Sequence, residues 1–174
     1  KNTKSSFHFP VISTINKDGF PSSRTVVLRE INKKNKIISF NTDVRSNKWL
    51  EINNNNKVSV NIYDANKKTQ IRIIGAATVN YKNKKWDSAW ESTPKMSREC
   101  YSTPYSPSTV ISKPDDIDIN LNQIKTENYE KYKVNFGRVD IKIYSLDWLY
   151  LIHSGHRRAK FIYDKEIRMT WIAP

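Results

Sequence analysis

The chain is poor in cysteine, in glycine, in acidic residues and in long apolar runs. A single cysteine, Cys100, excludes an internal disulfide and fits a reducing, cytoplasmic setting. No histidine partner or helix start stands near it, so it reads as an inert thiol. Four glycines in 174 residues leave no material for a glycine-rich phosphate loop. Neither G-x-G-x-x-G nor a Walker loop is present, and H-E-x-x-H and G-x-S-x-G are absent too. No apolar run approaches the ~18 residues of a membrane span. No signal peptide is visible, and the missing initiator Met raises the expectation of a further upstream piece.

The acid deficit is large: 17 Asp and Glu stand against 30 Lys and Arg, for a formal net charge of +13. Such a surplus favours anionic partners in general. Yet Lys and Asn are spread evenly, as in "NKKNK", "NNNNK" and "NKKW", so the bias reads as compositional. That evenness, with no RNA or DNA motif, argues against a basic nucleic-acid-binding barrel. Aromatics are present in force, with five Trp, nine Tyr and six Phe. They supply the burial that the 37% hydrophobic content alone supplies poorly. The length predicts one domain, residues 1–174.

The pattern is mainly β. Strands are predicted at 7–15, 24–31, 37–42, 57–64 and 69–80, with hairpin signals such as Asp18-Gly19 between them. Gly75 inside the last of these marks a bulge or a close backbone approach. Asp43 is placed to cap a helix over 44–54, ended by "NNNN". A second helix over 84–99 is interrupted by Pro94. Residues 101–116 are rich in Pro and Ser and read as a loop, and a weak helix follows at about 117–133. The tail returns to strands: "KVNFGRVDIKIYSL", "DWLYLI", "RRAKFIY" and "RMTWIA".

The chemistry concentrates in "RTVVLREINKKNKIISFNTDVRSNKW". A strand ends at Thr42 where a helix begins, so free N–H groups and the positive dipole end lie there. Thr42 and Ser46 add hydroxyls, and Arg45 and Lys48 add charge. Arg24 and Arg29 flank the neighbouring strand. These residues read either as a cradle for one phosphate beside a planar ring or as a solvated helix start. Gln70 and Arg72 share one strand face, opposite Ile71 and Ile73, and that face is either a barrel interior or solvent. "HSGHRRAKF" gathers His153, His156, Arg157, Arg158 and Lys160. Without a third ligand the two histidines do not make a metal site.

Taken in order, "RTVVLR", "FNTDVRSNK", "QIRIIG", Trp148 with "HRR", and the terminal "WIAP" resemble the pyridoxamine 5′-phosphate oxidase-related, FMN-binding split barrels. The resemblance implies a six-stranded antiparallel split barrel with flanking helices, mainly β in an α+β setting. It implies a homodimer holding FMN in two clefts between subunits, and an oxidoreductase whose small-molecule substrate, phosphorylated in the oxidase, is undefined here. Carried over by position, Arg24 and the backbone of Val26 and Val27 lie along the flavin. Thr42, Ser46 and Lys48 hold its phosphate. Gln70 reaches the ring, and Trp148 and Arg158 stand against the cofactor. Arg29, Ser97, Arg98 and His156 face the substrate. Asn47 replaces a phosphate-binding arginine of the oxidase, a charge that Arg45 is positioned to supply. Ser154 replaces a substrate-side arginine. Aligning "AWESTPKMS" on Pro94 leaves Ala89 and Thr93 where the oxidase has a tyrosine and an arginine. These departures leave a flavin-binding carrier or sensor without turnover as the alternative.

Overall fold

The computed structural model describes residues 5–116 and 129–174. Nine antiparallel strands form one sheet: β1 Val11–Ile15, β2 Pro21–Thr25, β3 Leu28–Asn32, β4 Ile37–Asp43, β5 Lys57–Asp64, β6 Thr69–Asn80, β7 Phe136–Tyr150, β8 Arg157–Tyr163 and β9 Ile167–Trp171. The path runs β2-β1-β5-β6-β7-β4-β3, and the β8–β9 hairpin branches from β7. The sheet curls without closing, a split barrel with more strand segments than the six implied by resemblance.

Period-two patterning sets which side of each strand is buried. On β5, Val58, Val60 and Ile62 turn inward and alternate with exposed or half-exposed residues. On β6, Ile71 and Ile73 turn into the core cluster, and Gln70 and Arg72 lie on the opposite, outer face. Gly75 is a position of close approach: a side chain there would collide with the Lys142 carbonyl, and the β6–β7 register shifts at that point.

β7 is one 15-residue strand where two were expected. The bulge beside Gly75 absorbs the irregularity, so the "IYSLDW" segment continues the strand. Its first half pairs with β4 and its second half with β8, while β6 follows nearly its whole length.

The predicted strand over 24–31 is two strands, β2 and β3, with Val26 bonded through its N–H to the Pro10 carbonyl between them. The predicted strand at 7–15 begins later. Ser5 accepts from the Phe7 N–H and caps a 3-10 turn, Ser6–His8, and only Val11–Ile15 is strand. Helix α1 spans Asn47–Asn54 and starts after Ser46, not at Asp43. Asp43 ends β4, and its Oδ1 takes the Arg45 N–H at 2.8 Å in a local turn.

Pro94 divides the next helical stretch into α2, Lys84–Glu91, and α3, Lys95–Arg98. α2 packs Trp90 against Tyr101 and Phe136, an aromatic cluster separate from the barrel core. Most of the weak helix expected at 117–133 lies outside the described residues. Its end, within Tyr129–Asn135, is 3-10. Among the described residues, no helix is long and apolar enough to cross a membrane.

Candidate functional site

β4 delivers the chain to the head of α1 and orients its polar residues by alternation. Ile38, Phe40 and Thr42 turn inward, and Ser39, Asn41 and Asp43 turn outward towards α2. Thr42 and Ser46 are buried and share a hydrogen bond at 3.3 Å. Ser46 Oγ donates to the Asp43 carbonyl at 2.6 Å and makes no cap bond to the helix. The Trp49 N–H donates to the Ser46 carbonyl at 3.0 Å, and among the described residues the Asn47 and Lys48 N–H groups at the head of α1 have no side-chain cap. Lys48 Nζ donates to Thr42 Oγ1 at 3.1 Å.

The charge balance at this helix head is unusual. Among the described residues, no carboxylate lies within 4 Å of the Lys48 ammonium. Burial lowers its pKa, and the nearby Arg24 cation lowers it further, outweighing Asp43 and Glu51. A bound anion would reverse both effects. Unsatisfied N–H groups, two hydroxyls and a destabilised ammonium fit a phosphate monoester such as the FMN phosphate.

Arg24 lies beside this cluster on the inner face of β2. Its guanidinium pairs with Glu51 at 2.8 Å and also bonds Thr14 and Ser22. The Glu51 pairing had no signal in the sequence, because the carboxylate comes from α1, 27 positions away. Arg45 turns away from the cradle. It forks onto Asp43 at 2.7 Å and reaches the Thr103 carbonyl at 3.1 Å, pinning the Pro- and Ser-rich loop. Its charge is already matched there. Val26 and Val27 form the crossing between β2 and β3.

The remaining candidates sit elsewhere on this chain. Gln70 bonds Asn61 at 3.1 Å on the outer face, near the start of β6. Trp148 faces inward beside Ile71 and Ala159, stacked on Tyr150 and edge-on to Trp171. Arg158 is on the opposite face, paired to Asp147 at 2.9 Å, with Arg72 on the same carboxylate at 2.7 Å. The Arg158 hydrogen bond is the main reason that Asp147 is held below the usual carboxylate range. His156 is exposed on the turn before β8.

Arg29 lines a polar cleft of about 470 Å3 with His8, Asn41, Thr93 and the buried Arg138. Arg98 does not join it. Its guanidinium bonds the Thr93 and Glu91 carbonyls at 2.9 and 3.1 Å and lies over the Trp90 ring. Ser97 lies on the same short helix, outside the residues lining the cleft. Sequence reading missed His8, Asn41 and Arg138. For Arg138 a signal existed: "RVDIK" alternates charged and apolar residues, placing Arg138 and Asp140 on one strand face, where they pair at 3.0 Å.

Residues 1–81 match the family model of the pyridoxamine 5′-phosphate oxidase FMN-binding domain. Thr42, Ser46 and Lys48, with Arg24 and Gln70, fall inside the matched residues. Trp148, His156 and Arg158 fall outside the matched residues. The split-barrel fold extends across the chain. A pyridoxamine 5′-phosphate oxidase-related, FMN-binding protein of Nostoc punctiforme superposes with a TM-score of 0.80 at 19% identity, covering 96% of this chain and 88% of that one. PhzG of Burkholderia lata, in complex with tetrahydrophenazine-1-carboxylic acid, superposes at 0.81 with 18% identity, covering 97% and 83%. A Clostridium acetobutylicum protein related to general stress protein 26 gives 0.55 at 10% identity, covering 87% and 84%. At these identities the likeness establishes the fold. No curated protein matches the chain by sequence.

Proposed function

We propose that the chain is a single split-barrel domain that binds FMN and works as a cytoplasmic, homodimeric oxidoreductase on a small anionic substrate. The observation carrying the reading is the Lys48 ammonium, half-buried at the head of α1 with two hydroxyls beside it and, among the described residues, no carboxylate within 4 Å. A phosphate anchored there orients the rest of the cofactor.

The spacing along β7 supports a homodimer. Thr42 pairs with Gly137 near the start of β7, and Trp148 stands eleven residues further along. That is roughly 35 Å of strand contour, at about 3.3 Å per residue. Trp148, Arg158 and His156 therefore belong to the far end of the strand, and a second copy of the chain supplies them to the cradle of the first. The exposed β8–β9 hairpin, with Met169 and Trp171 on one face, supplies apolar surface for that association.

FMN supplies hydride acceptance and reoxidation by dioxygen. The protein binds and orients: Lys48, Ser46 and Thr42 take the phosphate, and Arg29 presents a cation in the cleft beside β3 and β4. An alternative is a flavin carrier or sensor without turnover. It is favoured by Arg98, which is committed to backbone carbonyls and so adds no charge to the cleft. An absorption spectrum of the purified protein tests the cofactor first, with bound FMN giving flavin bands. Stopped-flow mixing with pyridoxamine and pyridoxine phosphates then separates the readings. Bleaching of the flavin supports the oxidoreductase, and a persistent oxidised spectrum supports the carrier.

A further inference from the structure

The split in the barrel is itself a cavity. Between the β3–β4 and β8–β9 hairpins the sheet opens onto a space of about 500 Å3. Ile31 and Ile37 form one wall, and Phe161, Tyr163 and Ile167 form the other. Ile62, Ile73 and Leu146 make the floor. The walls are almost wholly hydrocarbon. Ile31 and Ile167 remain 60% and 57% exposed at the mouth, so water meets aliphatic carbon on both sides of the opening. The flavin-phosphate cradle is at the other end of β4, so this cavity is separate from the phosphate site.

Polar groups gather at one rim. Asn32, Lys33 and Lys36 come from the β3–β4 turn, and Tyr163 faces them. Lys36 Nζ reaches across the split, 5.9 Å from the centre of the Tyr163 ring, and donates to the Lys33 carbonyl at 3.1 Å. Among the described residues, no carboxylate lies within 4 Å of either lysine ammonium. Burial pushes the Tyr163 hydroxyl above its ordinary pKa, so it stays a donor through the physiological range.

We propose that the split binds an amphiphilic monoanion: a hydrocarbon body in the cavity and one carboxylate at the Lys33–Lys36 rim. At about 30 Å3 for each non-hydrogen atom, the space takes roughly fifteen of them, the size of a medium-chain fatty acid. The hydrocarbon removes the isoleucine walls from water, and the two ammonium groups select the charged end. A neutral amphiphile of the same length gains only the first of these.

The test uses the full-length protein and anilinonaphthalene sulfonate, an apolar anionic dye, with decanoate and decanol as competitors. Decanoate displaces the dye at one site per chain, and decanol does so more weakly. Lys33→Gln with Lys36→Gln weakens decanoate roughly five- to tenfold, the scale of two partly exposed charges, and leaves decanol unchanged. Ile31→Asp, at an exposed position on the β3 side of the mouth, weakens both. Flavin content stays constant in these variants, all on the β3–β4 hairpin, which separates this result from any failure of the cofactor site. Absence of dye displacement overturns the proposal. So does equal competition by decanoate and decanol that the lysine variants do not alter. Ile31→Asp turning a dimer into a monomer, with no displacement by either ligand, overturns it in favour of a second copy covering the split.

Discussion

Lys48 donates to Thr42 over 3.1 Å at the head of α1, and the only carboxylate bonded to its neighbour Arg24 is that of Glu51. Arg24 is thus paired directly while Lys48 feels Asp43 and Glu51 only at a distance, and an incoming phosphate completes the balance. Lys48→Ala is expected to weaken FMN binding about 10- to 100-fold, the range for a hydrogen bond to a charged group. Titration of flavin fluorescence measures it, with circular dichroism reporting an unchanged fold.

The same lysine gives a pH dependence. Its pKa in the folded protein is lowered from 10.5 by burial and by Arg24. Between the lowered value and 10.5 the unfolded chain binds more protons, so this group adds stability as pH rises. FMN binding runs the other way, because the phosphate favours the charged ammonium. Affinity should therefore fall on the alkaline side, starting below pH 10.5, and Lys48→Arg should flatten that fall. Equilibrium dialysis across pH distinguishes the two curves.

If Trp148 and Arg158 of one chain serve the Lys48 cradle of another, each single variant loses both sites of its homodimer. Mixing Lys48→Ala chains with Arg158→Ala chains then restores about a quarter of the sites. Half of the dimers are mixed, and each mixed dimer carries one intact cleft. Flavin stoichiometry after co-refolding reads this directly. No recovery would place both residues in the cleft of a single chain.

Gly137 lies opposite Thr42, and a Cβ there would strike the Trp49 ring and lie 2.8 Å from Val44 Cγ1. Trp49 is in the first turn of α1. Gly137→Ala should cost about 1–3 kcal/mol of stability by overpacking and should also loosen FMN binding, because the helix head moves with Trp49. Denaturant unfolding and flavin titration on one sample test both effects.

Asp140 is buried, and burial alone would raise its pKa. Hydrogen bonds from Lys85, Arg138 and Ser39 outweigh that and hold it low. A depressed carboxylate contributes stability that is full above its unfolded value and is lost as pH falls through the folded one. Asp140→Asn should cost about 3 kcal/mol near neutral pH, since Arg138 keeps only the more exposed Glu30. The variant should also lose less stability than the native chain on acidification. Urea midpoints at pH 7 and pH 3 provide the comparison.

The sequence alone determined the strands whose alternation is clean. β5 and β6 have their expected bounds because Val58, Val60 and Ile62 on one and Ile71 and Ile73 on the other repeat every second residue, and only one side of a barrel wall is dry. It also marked Gly75, since a glycine inside a β-rich run signals a close approach. The cluster of Thr42, Ser46 and Lys48 was legible because it is local, spread over two turns of chain.

What depends on distant chain was settled only by the tertiary structure. Arg24 faces Glu51, and Arg45 faces Asp43 and the Thr103 carbonyl, so two cations that look alike in the sequence play different parts. Trp148 and Arg158 look like neighbours of the cradle until β7 is seen as one long strand that holds them at its far end. Side-chain type and spacing encode local shape, whereas charge pairing and distance are set by which strands lie side by side. The barrel's curvature decides that, and no short stretch of the chain contains it.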